Sequence, residues 1–193
     1  MFTIDNNSEY ELIVKNSKFI TCLFYIDNIN NINNILNSIK NKYPAATHYC
    51  YAYIIDDVKK SSDDGEPSGT AGLPILKVLE ANNLNHILAI VVRYFGGIKL
   101  GANGLIRAYT KCISNSLKDN KIVELLKGYN INIIFNYNDI KQIDYLLKDI
   151  KINSKDFKTN ITYNIDIPIA FLDTIKNNNI KYQILNNIYI KKI

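Results

Sequence analysis

The sequence predicts an α+β protein made of two units. Three observations carry that expectation. Apolar residues alternate with a period of two in some segments and recur at helical spacing in others, so strands and helices are interleaved. The 193 residues, 47% of them apolar and 21% charged, are enough for one large domain or two small ones. The rhythm of the elements also changes near Lys121–Gly128.

In the first unit, residues 1–122, Glu9–Val14 and Lys18–Ile26 read as strands joined by a turn at Lys15–Ser17. Ile29, Ile32, Leu36 and Ile39 recur at helical spacing between Asn28 and Lys42, and Pro44 closes that segment. Thr47–Ile55 alternates as a strand, with His48, Cys50, Ala52 and Ile54 on one face and Tyr49, Tyr51 and Tyr53 on the other. A polar loop, Asp56–Gly72, is expected next. Pro74 suits the first turn of a helix running to about Asn82. His86–Tyr94 is almost continuously apolar and reads as a buried strand. Asn103 is then a candidate N-cap for a helix from Gly104 to Lys118.

In the second unit, residues 123–193, Tyr129–Asn136, Ile152–Phe157, Asn160–Ile167 and Tyr182–Ile190 read as strands. Helices are expected over Asn138–Ile150 and from Pro168 to Asn178. The order β-α-β-β-α-β is that of the split βαβ, ferredoxin-like arrangement.

Composition narrows the function classes. The 34 Ile, 28 Asn and 21 Lys, beside two Arg and no Trp, read as drift toward AT-rich codons, so a typical Asn or Lys says little. The residues that resist the drift cluster instead. Seven of eight glycines, both arginines and two of four prolines lie between Gly65 and Arg107. No apolar run reaches the ~18 residues of a membrane span. The polar, acidic start MFTIDNNSEYEL does not read as a secretory signal. Cys22, Cys50 and Cys112 are odd in number without C-x-x-C spacing, which points away from disulfides and structural zinc and toward the cytoplasm. The net charge of +5 permits an RNA partner and marks out no basic arm.

Four constellations could carry chemistry. In the first, Ser62–Gly72, Asp63, Asp64 and Glu66 crowd four positions beside the hydroxyls of Ser68 and Thr70. Such oxygens suit a hard cation, and they equally suit capping of backbone N–H groups in a glycine-rich loop.

The second, Val92–Arg107, joins a buried strand, a glycine turn (Gly96, Gly97, Gly101, Gly104) and a helix start. These are the parts of an anion site, with Arg93, Lys99, Arg107 and Lys111 as cationic donors. The glycines serve as well to bring helix and sheet close together. Neither nucleotide fingerprint, G-x-x-x-x-G-K-[ST] nor G-x-G-x-x-G, is present, and no cofactor is implied.

Third, His48 and Cys50 share a strand face, but side chains two apart on a strand run parallel, a poor geometry for an activated thiolate. Fourth, the three tyrosines could stack on unpaired bases if their face is open. Were the acidic loop to lie beside the basic turn, its carboxylates would pair with Arg93 or Arg107 and cancel the anion site.

Together these residues resemble the YigZ/IMPACT family. The carrying motifs are Ser17-Lys-Phe19, Ala46–Tyr53, Asp63–Pro74 and Val91–Tyr109. The resemblance implies a first domain like the second domain of small-subunit ribosomal protein five and domain IV of elongation factor G. It implies a second domain like that factor's ferredoxin-like domain V, a match of element order more than of motif. It further implies a stress-linked role in translation control, with RNA or the ribosome as partner and a protein partner as a second possibility, and brings no settled catalytic activity with it; a non-enzymatic role is expected, with neither DNA nor membrane as partner. The eukaryotic members restrain a kinase that senses uncharged tRNA, chiefly through an extra N-terminal domain. This sequence starts at the shared domain, so that partnership is not expected here. A phosphate-substrate or metal-assisted enzyme and a protein–protein adaptor are the alternatives.

Overall fold

The computed structural model describes residues 1–192; Ile193, the last residue of the expected second unit, lies outside the described residues. The chain divides into two units, Met1–Glu124 and Leu125–Lys192. In chain order the first contains β1 (Phe2–Ile4), β2 (Ser8–Val14), β3 (Ser17–Tyr25), α1 (Ile32–Lys42), β4 (His48–Ile55), β5 (Val58–Ser62), α2 (Gly72–Ala81), β6 (Ile87–Tyr94) and α3 (Ala102–Lys118). β7 (Ile122–Phe135) carries the chain into the second unit, followed by α4 (Ile140–Leu146), β8 (Lys151–Phe157), β9 (Ile161–Pro168), α5 (Leu172–Asn177) and β10 (Lys181–Lys192).

The first unit is built on an antiparallel sheet in the order β2-β3-β6-β4-β5. β6 lies at its centre, which explains the uninterrupted apolar run: both faces of the strand are covered. Leu88, Ile90 and Val92 join Ile32 and Ile39 of α1 in one core cluster. Ile87, Ala89 and Val91 join Ile75 and Leu79 of α2 and Ala108, Cys112 and Ile113 of α3 in another. The tyrosine face of β4 is therefore not an open platform. Tyr53 is buried, Tyr49 and Tyr51 pack on the α1 cluster, and Tyr49 Oη donates to the Tyr43 carbonyl at 2.6 Å.

Several expected boundaries move. The polar loop after β4 contains β5, which pairs from Ile55↔Val58 to Tyr51↔Ser62. Its sequence, Val-Lys-Lys-Ser-Ser, lacks an apolar rhythm because an edge strand is held by one partner and protected by lysines. β1 is a short addition, paired antiparallel with Ile122–Glu124. The segment Lys121–Gly128 is strand from Ile122 onward, and the division between units falls within it. α3 begins at Ala102 after Gly101, whose φ of +70° favours glycine, so Asn103 sits inside the first turn and makes no side-chain cap.

The second unit has strand order β8-β9-β7-β10. Along β9 every second residue, Ile161, Tyr163, Ile165 and Ile167, is buried with Ile131, Ile133 and Phe135 of β7 and with Ile143 and Ile175 of the helices. The alternate residues are polar. Asn130, Asn132, Asn153, Asn164 and Asp166 bond to one another across β7, β9 and β8 at 2.7–3.1 Å.

The β2–β3 hairpin turns through Lys15 and Asn16, both at positive φ, the conformation of a tight two-residue hairpin. Gly96 lies directly against that turn: a Cβ there would overlap the Asn16 carbonyl group and the Ser17 nitrogen. Backbone cannot yield that far without moving the hairpin. Gly96→Ala is expected to cost about 2–3 kcal/mol, seen as a lower urea midpoint with an unchanged m-value. A midpoint equal to the parent's would refute the close approach.

Candidate functional site

The acidic loop is organised by its own carboxylates. Asp63 Oδ1 accepts from the backbone N–H groups of Ala71 (3.0 Å) and Gly72 (2.8 Å), and its Oδ2 accepts from Gly69 N–H (2.8 Å). Asp63 thus satisfies donors at the start of α2, where the helix has no other side-chain cap. Burial works to raise its pKa, but the three N–H donors outweigh burial and hold it below the ordinary value of 3.8. Asp64 Oδ2 accepts from Tyr49 N–H at 2.7 Å, and its carbonyl oxygen lies 2.8 Å from His48 Nδ1. Thr70 is buried and donates to the Pro67 carbonyl at 2.6 Å, whereas Ser68 is exposed. Between capping and cation binding, these contacts support capping, because the loop carboxylates are already engaged.

Glu66 is engaged differently. Its side chain is 3% exposed and faces the equally buried Arg93, with Arg93 Nη1 donating to Glu66 Oε1 at 2.5 Å. Tyr109 Oη donates to the same oxygen at 2.8 Å. Cys50 Sγ lies 3.3 Å from Tyr109 Oη and 2.9 Å from the Asp63 carbonyl oxygen. Arg93 Nη2 reaches Ser17 Oγ at 3.4 Å, and the guanidinium lies between the rings of Phe19 (5.3 Å) and Phe95 (5.6 Å). β-Sheet register makes this possible: Arg93 stands opposite Phe19 on β3 and His48 on β4.

The condition raised by the sequence is therefore met at Arg93 and not at Arg107. Arg93 is committed to Glu66 and is not a free phosphate donor. Burial pushes the Cys50 thiol up to about 12 and also raises the Tyr109 hydroxyl, so both remain neutral. A protonated, enclosed thiol is a poor nucleophile, in line with its unfavourable spacing from His48.

His48, Glu66, Arg93, Lys99 and Gly101 line one pocket of about 430 Å³. Gly97 (φ +82°) and Gly101 lie where an added Cβ would meet nothing within 4 Å, so they serve the turn's conformation; at Gly104 it would meet Leu100 Cβ at 3.1 Å. Arg107 and Lys111 do not line the pocket; they lie on the exposed face of α3, four residues apart. The predicted anion site thus separates into a pocket and a helix surface. Sequence reasoning missed Tyr109, Ser17, Phe19 and Phe95 as site residues. All four stand within the quoted motifs, but only long-range packing reveals their common partner.

Breaking a buried pair on one side leaves an uncompensated charge. Arg93→Met is expected to cost about 3–5 kcal/mol, and Glu66→Leu added to it to recover much of that loss. Chemical denaturation of both single variants and the double variant tests the coupling, and strictly additive losses would refute it. Asp63, with its folded pKa depressed, contributes stability that is complete above the ordinary carboxylate range and is lost as pH falls through that range. Asp63→Asn should therefore be less stable than the parent by about 1–2 kcal/mol at pH 7, and the gap should narrow below about pH 4. A gap that is constant with pH would contradict the capping role.

Comparison with known proteins identifies the family. The Impact N-terminal domain family matches residues 15–117, which hold every residue of the Glu66–Arg93 network. The IMPACT family member YvyE of Bacillus subtilis (strain 168) is 40% identical over 159 residues, covering 77% of this chain and 73% of that protein. YigZ of Escherichia coli (strain K12), another IMPACT family member, is 33% identical over 164 residues, 81% of this chain and 80% of that one. A crystal structure of a hypothetical protein is similar over 96% of this chain and 97% of its own, with a TM-score of 0.63 and 28% identity. These matches make the chain a member of the IMPACT family.

Proposed function

We propose that this protein acts in translation control in the cytoplasm by binding structured RNA or the ribosome without catalysing a reaction. The observation that carries the reading is the contrast between its two charged motifs. The acidic motif is engaged within the chain: Asp63 and Asp64 hold backbone N–H groups and Glu66 holds Arg93. Apart from the buried Arg93, the basic motif is turned outward: Lys99, Arg107 and Lys111 are exposed, and among the described residues they pair with no carboxylate. Arg107 and Lys111 lie one helical turn apart, about 6 Å along the axis, on a 17-residue helix fixed to the sheet through Ala108, Cys112 and Ile113. A rigid row of cations suits a phosphate backbone, which recognises charge and position more than sequence.

The same contrast weakens the enzymatic alternative, since a general base or metal ligand needs a carboxylate free to act. The three buried free thiols suit a reducing compartment. The second unit's element order, with strands in the order β8-β9-β7-β10, supports the ferredoxin-like reading. The family resemblance supports the likeness of the first unit to the second domain of ribosomal protein five.

Sedimentation with ribosomes across a potassium chloride series tests the proposal. The parent should co-sediment at low salt with a steep salt slope. Arg107→Ala/Lys111→Ala should bind more weakly, its slope shallower by roughly 0.7–0.9 for each phosphate no longer neutralised. Absence of binding by the parent at low salt, or a slope unchanged in the variant, would overturn the reading.

A further inference from the structure

The turn before α3 and the outer face of that helix share one charge character. From Ala81 to Lys118 the chain carries Arg93, Lys99, Arg107, Lys111 and Lys118 and neither Asp nor Glu. Arg93 is buried against Glu66, and the other four cations are exposed. Three large apolar residues of the same stretch, Phe95, Ile98 and Ile106, are exposed as well. They interleave with the cations in the order Phe95, Ile98, Lys99, Ile106, Arg107, Lys111. Single exposed apolar residues need no explanation, but a group of them among charges of one sign marks an interaction surface.

Phe95 is the most firmly held of the three. Its N–H donates to Thr47 Oγ1 at 3.0 Å, and the next N–H, that of Gly96, donates to Ser17 Oγ at 3.1 Å. The hairpin turn packed against Gly96 leaves that backbone no room to shift. The Arg93 guanidinium lies over the Phe95 ring, 5.6 Å from its centroid, and is itself fixed by Glu66 and Ser17. The ring is thus supported from behind while the residue stays 46% exposed. Among the described residues it joins none of the apolar core clusters, so burial does not account for an aromatic side chain at this position.

A rigid aromatic ring beside free cations is the combination that holds single-stranded nucleic acid: the ring stacks on a base while the cations follow the backbone. A continuous RNA duplex does not suit it, because an aromatic ring needs a base splayed out of its stack. We propose that Phe95 is a stacking platform for an unpaired base of RNA, and that the strand bearing this base runs past Lys99 and along α3. Arg107 and Lys111 follow Ala102, the first residue of the helix, by roughly 7 and 13 Å along its axis, where successive phosphates of that strand meet them. The platform rests on the RNA reading above and names the kind of RNA, a loop, bulge or strand end.

The chain contains no tryptophan, so Phe95→Trp places a single indole on the platform. Titration of that variant with a single-stranded oligouridylate of about twelve nucleotides should quench and shift its emission, and an RNA duplex of equal length should leave the emission unchanged. In anisotropy measurements with the same single strand, Phe95→Ala should weaken binding about tenfold with no change in salt slope, because a stacking contact releases no counterion. Phe95→Tyr should keep the parent's affinity. Arg107→Ala/Lys111→Ala should instead lower the slope. All three side chains are exposed, so these variants are expected to fold.

Equal affinity of the parent for single strand and duplex, an emission unmoved by the bound single strand, or a Phe95→Ala variant that binds as the parent does would overturn the platform. Absence of single-strand binding at low salt would overturn it as well and leave the surface to a protein partner. Sedimentation with ribosomes varies Arg107 and Lys111 and leaves Phe95 in place, so failure of the platform leaves that experiment to decide the RNA reading.

Discussion

The ion pair between Glu66 and Arg93 is the interaction on which the first unit's architecture depends. A guanidinium held away from water at the end of the central strand has to meet an anion, and a carboxylate buried to the same degree has to meet a cation. Satisfying both draws four separate parts of the chain to one point: the acidic loop with Glu66, β6 with Arg93, α3 with Tyr109, and the start of β3 with Ser17 and Phe19. The pair thereby ties the helix layer to the sheet where the apolar core alone would permit small slides. Its stabilising value is modest beside that of the surrounding Ile, Leu and Val core, because much of the Coulombic gain offsets desolvation. Its geometric effect is larger, since one guanidinium that donates to both Glu66 and Ser17 fixes a loop with few apolar anchors of its own.

The division of labour among the loop carboxylates follows from that arrangement. Asp63 reaches the N-terminus of α2, Asp64 reaches the exposed end of β4, and only Glu66 extends inward. Three adjacent acids that read as a metal-binding cluster in one dimension point in three directions in the fold. The cations diverge in the same way. Arg93 is internal, Lys99 stands at the rim of a pocket, and Arg107 and Lys111 lie on an outer helix face. What remains outward is a row of positive charge on α3 and a pocket lined by His48, Glu66 and Lys99.

The second unit reaches order by a different route. Its apolar residues line one side of β7 and β9, while the other side carries hydrogen-bonded asparagines around Asp166. Burial raises the Asp166 pKa, but the amides of Asn130 and Asn153 and the ammonium of Lys151 together hold it below the ordinary carboxylate value. Asparagine enrichment, which reads as compositional drift in the sequence, here supplies both donors and acceptors across neighbouring strands. A residue favoured by base composition can still occupy a structurally specific position once strand register sets its neighbours.

Much of the fold was legible along the chain because strands and helices print their periods locally. The double-sided burial of β6 is visible in His86–Tyr94, and the amphipathic α3 is visible in the spacing of Leu105, Ala108, Cys112 and Ile113. β5 was not legible, since an edge strand of lysines and serines takes its structure from one neighbour, and β1 was not, since its partner lies over a hundred residues away. The tyrosines of β4 alternate as expected, but alternation cannot say whether a helix will cover the face they share. The residue types of the site, acids in one motif and cations in the other, are set by the sequence alone. Which acid meets which cation was decided only by tertiary structure, because hydrogen bonds and desolvation act over a few ångströms in space, and Glu66, Arg93 and Tyr109 come within that range only when loop, strand and helix are packed together.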